Sequence, residues 1–201
     1  MIKKIVLTAI ALVSFLSVDA QAAISEDIVK ESIVKHSVEM GVDPALALSI
    51  AKKESGFKHE LKSPYGAVGV FQVLPSTAKK IGYNPYYLNE NIKAGLTYYK
   101  MMYKMFGSTE LALAAYNAGP GNVKKYGGTI PPFKETKRFV NVIMQDYKNQ
   151  KMNPDPAIAK YTKKTAIEAE AEMTNSPKPI DLPDLKEIPE TREAESVMEI
   201  L

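Results

Sequence analysis

The feature that most constrains the fold of this chain is an apolar helix that ends in a carboxylate and a glycine. Asp43 followed by Pro44 is a typical helix start, because Asp caps the first free N–H groups and Pro suits the first helical position. Gly56 predicts the end of this helix near Ser55. Residues 57–74 are punctuated by Gly and Pro, so we expect a loop or a small β excursion there. The chain therefore places an acid where a buried helix meets an irregular segment.

The helical period puts Glu54 on the apolar face of this helix. That face consists of Leu46, Ala47, Ile50 and Ala51. Glu54 falls near its middle, whereas Ser49, Lys52 and Lys53 fall outside it. Burial and the negative end of the helix both disfavour the ionised form, and both raise the pKa of the carboxyl group. A carboxyl group that keeps its proton near neutral pH suits general acid catalysis, although a Glu near a helix end is often only an edge residue.

The rest of the body, residues 23–152, also has the pattern of a helical domain. Further helix starts are predicted at Ser25, Pro75, Asn89, Ser108 and Glu135, with a short helix near Asn122–Tyr126. Helix ends are predicted at Gly41, Gly82 and Gly107. The predicted fold class is mainly α, with a small loop or β excursion and a flexible C-terminal tail.

The N-terminal segment, residues 1–22, is typical of a secretory signal peptide. Lys3 and Lys4 precede an apolar run that ends at the small-residue pattern Ala20-Gln21-Ala22. A retained membrane anchor is the alternative, but the run is too short to span a bilayer comfortably. We therefore expect a periplasmic or secreted protein with no stable membrane span after removal of the signal.

The C-terminal segment, residues 153–201, differs from the body in composition. Pro, Ala and Glu are frequent there, and acids outnumber bases after Asp155. This composition predicts an acidic, largely flexible tail with short helices near 157–173 and 190–201.

Composition excludes several kinds of site. The chain has no Cys, so neither disulfides nor Cys-type zinc sites can form. His36 and His59 are the two His residues, and neither has a partner at ligand spacing, so we expect no metal and no cofactor. The net charge of +3 is the sum of an acidic tail and a basic body. A basic body suits binding to an acidic polymer. Nucleic acid is not expected, because no nucleic-acid-binding motif occurs.

Polar residues near Glu54 in sequence, or at the end of an Ala-rich helix, are the candidate substrate-binding residues. They are Ser55, Ser63, Gly69, Gln72, Tyr116 and Asn117. The glycine allows close approach of the backbone to a ligand, and the amides can bind an N-acetyl or hydroxyl group. Tyr rings without any Trp suggest sugar stacking on Tyr, although we expect most of them, including Tyr99 and Tyr103, to pack in the core.

The segment from Ala45 to about Tyr147 resembles the catalytic domain of soluble lytic transglycosylases, which share a fold with goose-type lysozyme. The family's motifs occur in order and at similar spacing. They are Glu54-Ser55, Ser63-Pro64-Tyr65-Gly66-Ala67, Gly69-Val70-Phe71-Gln72, Pro75-Ser76-Thr77-Ala78, Ala115-Tyr116-Asn117-Ala118-Gly119-Pro120-Gly121 and Glu135-Thr136-Lys137-Arg138-Phe139-Val140. Two motifs depart from the family: Val70-Phe71 replaces Leu-Met in one, and Phe139 replaces a Tyr in the other, so that hydroxyl is lost.

The resemblance implies a single-acid reaction on peptidoglycan. Glu54 would protonate the oxygen of the β-1,4 bond between N-acetylmuramic acid and N-acetylglucosamine. The same carboxylate would then take the proton from the C6 hydroxyl of the muramic residue, which attacks C1 and leaves a 1,6-anhydro ring. Because the substrate supplies the nucleophile, the second carboxylate of the usual glycosidase is not required, and we expect none in the motifs.

The same resemblance implies roles for the polar residues around the acid. Ser63 would polarise the N-acetyl carbonyl or the incoming hydroxyl. Gln72, Tyr116 and Asn117 would position the sugars and Glu54.

Two other functions stay open on the sequence. One is a lysozyme-like hydrolase of the same fold that uses water. The other is a wall-binding adaptor of an envelope-spanning secretion, conjugation or pilus machine, which the acidic tail would contact. The sequence also leaves open whether an enzyme of this kind cuts from chain ends or internally.

Overall fold

The structure is a computed structural model that describes residues 24–175. Within that range the chain forms eight α-helices and no extended strand, only the isolated bridges Lys62↔Val68 and Val68↔Val73. The helices are α1 (Glu26–Glu39), α2 (Pro44–Ser55), α3 (Pro75–Lys80), α4 (Leu88–Phe106), α5 (Thr109–Ala118), α6 (Pro120–Lys125), α7 (Lys134–Met152) and α8 (Pro156–Asn175). The predicted mainly α class with a small β excursion is confirmed.

Helix α2 lies at the centre of the core, with α1 and α7 packed against it. Asp43 caps it by accepting a hydrogen bond from the Ala45 N–H at 2.9 Å, and Gly56 ends it with a φ of 59°, as predicted. The prediction that Ser49 lies outside the buried face is wrong. Because neighbouring helices cover α2 on more than one side, Ser49 is buried, and its hydroxyl donates to the Ala45 carbonyl at 2.8 Å.

The other predicted helix starts have mixed outcomes. The Ser25 and Ser108 side chains cap α1 and α5, where they accept hydrogen bonds from backbone N–H groups three residues later. Asn89, however, is not a cap. Helix α4 already begins at Leu88, after a Tyr87 that makes no side-chain capping bond. The preceding turn is held instead by the Glu90 carboxylate, which accepts a hydrogen bond from the backbone N–H of Asn84.

The start of α8 packs on the helical body. Ala157 is buried in the core, and Ile158 and Tyr161 are partly buried against it. The first compact unit of the chain ends at Tyr161, and the second begins at Thr162. The predicted limits of the domain (23–152) and of the flexible tail (153–201) stay predictions.

Some predictions fall outside the described residues. They are the signal peptide over residues 1–22 and the helix near 190–201. Across residues 24–175, no helix combines the length and the apolar character that crossing a bilayer requires.

Candidate active site

Glu54 lies in the last turn of α2 and is partly buried. Burial raises the pKa of its carboxyl group to about 8; the positive charge of Lys53 opposes this rise, and the negative charge of Glu135 adds to it. Each unit between the pKa and the pH changes the ratio of protonated to ionised carboxyl groups tenfold, so a group with this pKa is about nine-tenths protonated at pH 7. The Glu54 carboxyl group therefore holds its proton at neutral pH, and its role as the catalytic acid stays a prediction.

Glu135 is an acid that the sequence reasoning overlooked. It lies in the first turn of α7 and belongs to the last motif, and its charge raises the pKa of Glu54. The expectation that the motifs contain no second acid near Glu54 is therefore wrong. The sequence alone could have indicated this acid, because Glu135 is the first residue of that motif.

The hydroxyl groups of Ser55 and Tyr116 hold the loop that follows α2. Ser55 donates to the Val70 carbonyl at 2.9 Å, and Tyr116 donates to the Phe71 carbonyl at 2.8 Å. Both residues are buried, with 8% and 9% of their surface exposed. Each hydroxyl proton is used inside the protein, so the geometry gives both residues a positioning role. Their predicted direct contact with substrate stays a prediction.

Asn91, on α4, is the third residue that holds this loop, and the sequence analysis missed it. It is fully buried; its Oδ1 accepts a hydrogen bond from the Phe71 N–H at 2.9 Å, and its Nδ2 donates to the Val68 carbonyl at 2.8 Å. Gly69 makes room for it, because a Cβ at that position would lie 2.3 Å from Asn91 Nδ2. With its φ of +77°, Gly69 is thus required by the packing of the loop, whatever it does for a ligand.

A second glycine brings α4 against the same loop. A Cβ at Gly95 would lie 2.4 Å from Phe71, which is fully buried. Asn91 and Gly95 are one helical turn apart, so they share a face of α4. In the sequence, a polar residue (Asn91) and a small residue (Gly95) four positions apart on an otherwise apolar face of α4 indicate that another segment packs closely against that face.

Gln72 adopts an unusual backbone conformation at the end of the loop. Its φ is +45°, in a region that residues other than Gly seldom occupy and that is enriched at functional sites. Its Nε2 donates to the carbonyl groups of Leu61 and Gly69 at 3.0 and 2.8 Å. Within the described part of the chain, both of its side-chain bonds start from Nε2. Its Oε1 is therefore the acceptor available to a ligand.

Among the described residues, the side chains of Asn117 and Ser63 each make one hydrogen bond, in which each acts as the acceptor. The Thr136 hydroxyl donates to Asn117 Oδ1 at 2.8 Å, which joins the end of α5 to the start of α7. The Ser63 hydroxyl oxygen accepts a hydrogen bond from the Ala67 N–H at 3.0 Å. The Asn117 amide nitrogen and the Ser63 hydroxyl proton are therefore the groups able to donate to a ligand.

Phe139 occupies the position of the Tyr of the last motif. Its ring is 2% exposed, and the Lys53 Nζ lies 5.3 Å from the ring centroid. A cation over an aromatic face is attracted to it. The ring thus holds beside Glu54 the ammonium group that opposes the rise of its pKa.

These contacts bring the predicted residues to one region. Val70 and Phe71, which precede Gln72 in the loop, accept hydrogen bonds from Ser55 and Tyr116, respectively. Ser55 is adjacent to Glu54 in the sequence, and Tyr116 is adjacent to Asn117. Tyr116 also lies within electrostatic range of Glu54, because its pKa is raised first by its own burial and then by that carboxyl group. The arrangement provides a protonated acid, an amide acceptor and two donors, which can protonate a leaving oxygen and hold a neutral polar polymer.

Comparison with known proteins gives similarities over the same region. A family model described as transglycosylase SLT domain matches residues 31–139, more than half of the chain. A soluble lytic murein transglycosylase of Escherichia coli K12 is 33% identical over 147 residues, which cover 60% of this chain and 23% of that protein. A transglycosylase of Enterobacteria phage PRD1 is 27% identical over 145 residues, which cover 72% of this chain and 52% of that protein.

Solved structures are similar over the helical body. The 70 kDa soluble lytic transglycosylase of Escherichia coli has a TM-score of 0.53 at 30% identity and covers 63% of this chain and 25% of that one. The lytic transglycosylase Slt of Pseudomonas aeruginosa, solved as an inactive Glu-to-Gln mutant, has a TM-score of 0.55 at 28% identity, with the same coverage of 63% and 25%. The expected lysozyme-like helical fold is confirmed. The chain spans about a quarter of the length of these bacterial relatives and about half of the phage protein.

Proposed function

This chain belongs to the transglycosylase SLT domain family, and from that premise we propose that it is a peptidoglycan lytic transglycosylase. One observation carries the proposal: Glu54, at the end of α2, has a pKa of about 8 because it is buried, so it holds a proton near neutral pH. The names of the relatives support the substrate, since those from Escherichia coli and Salmonella typhimurium are soluble lytic murein transglycosylases.

In the first step Glu54 donates its proton to the oxygen of the bond between N-acetylmuramic acid and N-acetylglucosamine. That bond breaks as positive charge develops at C1 of the muramic residue. A donor with a pKa near the working pH is effective, because it is protonated at rest and still gives up its proton readily. The carboxylate that results lies in a partly buried site, where it is a stronger base than in water.

In the second step this carboxylate takes the proton from the C6 hydroxyl of the same muramic residue. The C6 oxygen bonds to C1 and closes the 1,6-anhydro ring, so Glu54 ends the cycle protonated. Gln72 Oε1 and the Asn117 amide nitrogen would hold the sugars through the groups that their internal bonds leave available. The Ser63 hydroxyl would donate to the N-acetyl carbonyl. Ser55 and Tyr116 would act by positioning the loop that presents Gln72.

A water-using hydrolase of the same fold is the second candidate, and Glu135 is the observation that favours it. Its charge acts on the pKa of Glu54, so it would be the second carboxyl group that a hydrolase of the usual kind requires. The two reactions differ in their products, because hydrolysis adds water and leaves a reducing end.

Mass spectrometry of purified sacculi digested by the protein tests the proposal. We expect anhydro-muropeptides from the wild type and none from Glu54→Gln. Glu60→Gln is the matched control, because Glu60 is exposed and belongs to no motif. Products with reducing ends would replace the transglycosylase by the hydrolase, and a Glu54→Gln variant that still digests at the wild-type rate would remove Glu54 as the acid.

We also propose that the protein is exported and opens the wall locally for an envelope-spanning secretion, conjugation or pilus machine. The signal-like residues 1–22 and the acidic composition after Asp155 support this. Because Ala157 is buried in the core, a deletion that tests the tail should begin after Asn175. Loss of assembly of such a machine with intact digestion of sacculi is expected; unchanged assembly would exclude this role for the deleted residues.

A further inference from the structure

A second concave site, which we name the distal cleft, lies at the start of α2, away from Glu54. It has a volume of about 670 Å³, and its walls are the turn 40–43, the middle of α4, Thr109 and Tyr147. Asp43 is among the lining residues, whereas Glu54, Gln72 and Asn117 are not. Asp43 and Glu54 are separated by most of α2, about 16 Å along the helix axis. The distal cleft is therefore separate from the candidate active site.

Hydrogen bonds between elements fix the walls of the distal cleft. Asp43 Oδ2 accepts hydrogen bonds from the Tyr147 hydroxyl at 2.8 Å and from Lys151 Nζ at 2.9 Å. Lys100 Nζ, on α4, donates to the Met40 carbonyl at 2.6 Å. These bonds tie α4 and α7 to the turn before α2. The cleft is therefore already formed without a ligand, as ligand sites usually are.

The charges around the distal cleft favour an anion. Lys100 and Lys104 line it from α4, and both are exposed. Asp43 is neutralised by its bond with Lys151. Glu110, on the first turn of α5, is a further acid near the cleft, since it acts on the pKa of Tyr99. The sum of these groups is positive, and the two α4 ammonium groups have no carboxylate partner among the described residues.

The apolar part of the lining combines aliphatic side chains with Tyr rings. The Tyr99 and Tyr103 rings lie with their centroids 6.2 Å apart. Tyr103 does not pack in the core, contrary to the sequence prediction; 46% of its surface is exposed, because the side of α4 that carries it faces the cleft. Tyr99 is buried, so the exposed Tyr103 face is the aromatic surface beside the ammonium groups, and it suits a ligand that combines small apolar groups with carboxylates.

We propose that the distal cleft binds the carboxylate-bearing stem peptide of a peptidoglycan strand. The proposal rests on the proposed function, which places the same polymer at Glu54. The volume of the cleft is that of a site for a small ligand, so it fits a few residues of peptide and not an extended glycan. Binding there holds the protein on the wall and raises the effective concentration of glycan strands at the active site.

Titration of the full chain with a soluble stem tetrapeptide, freed from its sugars by amidase digestion, tests this site. NMR or calorimetry should show saturable binding that weakens with salt. We expect Lys104→Gln to raise the Kd about tenfold, since it removes one charge-assisted contact. Lys80→Gln, an equal charge change on α3 outside the cleft, should leave the Kd unchanged. Absence of saturable binding, or an equal loss in both variants, would overturn the proposal.

Parallel assays separate this proposal from the proposed function. Anhydro-muropeptides released from sacculi by the wild type, without peptide binding at the distal cleft, would leave the function standing and reject the site. Peptide binding that depends on Lys104, without any release of fragments, would support the site and reject the enzyme.

Discussion

At the scale of single residues, the proposed chemistry depends on the charges around Glu54. Burial is the largest cause of its raised pKa, and Lys53 and Glu135 act on it in opposite directions. Lys53 is kept in place by the Phe139 ring, and Glu135 by its position in the first turn of α7. The pKa of the acid is therefore adjustable by substitutions that leave its own side chain untouched.

Substitution of these two neighbours should move the pH profile of digestion in opposite directions. Removal of a negative charge makes ionisation of Glu54 easier, so Glu135→Gln should lower the pH above which kcat/KM falls. Removal of a positive charge has the reverse effect, so Lys53→Met should raise that pH. We expect the wild-type profile to fall as the pH rises through about 8, the pKa of Glu54. Shifts of the same sign in both variants would contradict this electrostatic account.

The buried acid should also lower the stability of the protein at neutral and alkaline pH. Its pKa is raised from 4.5 to about 8 on folding, so the folded state binds the proton more tightly and the free energy of unfolding falls as the pH rises between these values. Glu54→Gln removes this cost and should stabilise the protein at pH 8 by at most about 4 kcal/mol, since each pKa unit corresponds to about 1.4 kcal/mol. Urea denaturation at pH 4 and pH 8 measures it; an equal effect at both values would show that ionisation is not the cause.

At the scale of elements, the residues that follow α2 act as one unit with α4 and α5. The loop has little regular structure of its own, and the side chains of Ser55, Asn91 and Tyr116 bind its backbone between residues 68 and 71. The conformation of Gln72 is thus imposed by contacts from three helices. The positive φ of this residue is maintained because the surrounding bonds determine it.

Asn91→Ala should weaken this unit. It removes a buried amide and leaves the Phe71 N–H and the Pro85 carbonyl without their partner, whereas the Val68 carbonyl keeps the hydrogen bond that it accepts from the Val73 N–H. Unsatisfied buried groups of this kind cost about 1–3 kcal/mol each, so we expect a loss of about 2–4 kcal/mol in the free energy of unfolding. Thermal or urea denaturation measures the loss, with Asn89→Ala, at an exposed position of the same helix, as control. Equal stability of the two variants would show that Asn91 does not hold the loop.

The sequence predicts the helices and the acid better than it predicts these contacts. Helix starts can be predicted because an N-cap residue binds backbone groups only a few residues away; the examples here are Ser25, Asp43 and Ser108. The acid could be predicted because Glu54 lies at the predicted end of α2. Ser49 and Asn91 could not be placed in the same way, because their burial depends on helices distant in sequence. Ser55 and Tyr116 stand in recognisable motifs, yet only the structure shows that their hydroxyl groups bind the loop.

At the scale of the whole molecule, the question is where the independently stable part of the chain ends. Composition changes after Met152, and that change predicts the start of the tail there. The structure shows Lys30 paired with Asp155 at 3.1 Å and Ala157 buried in the core. Residues that look like the beginning of a linker thus contribute to the first compact unit, which ends at Tyr161.

Two truncations should therefore differ in stability. A chain that ends at Met152 loses the Lys30–Asp155 ion pair and the apolar contacts of Ala157 and Tyr161, and it exposes core surface. At about 25 cal/mol per Å² of apolar surface, the loss of one or two such side chains costs about 1–3 kcal/mol. A chain that ends at Tyr161 keeps these contacts and should unfold at the wild-type temperature. Calorimetric unfolding of the two truncated chains compares them directly. Equal melting temperatures would move the end of the stable unit back to Met152.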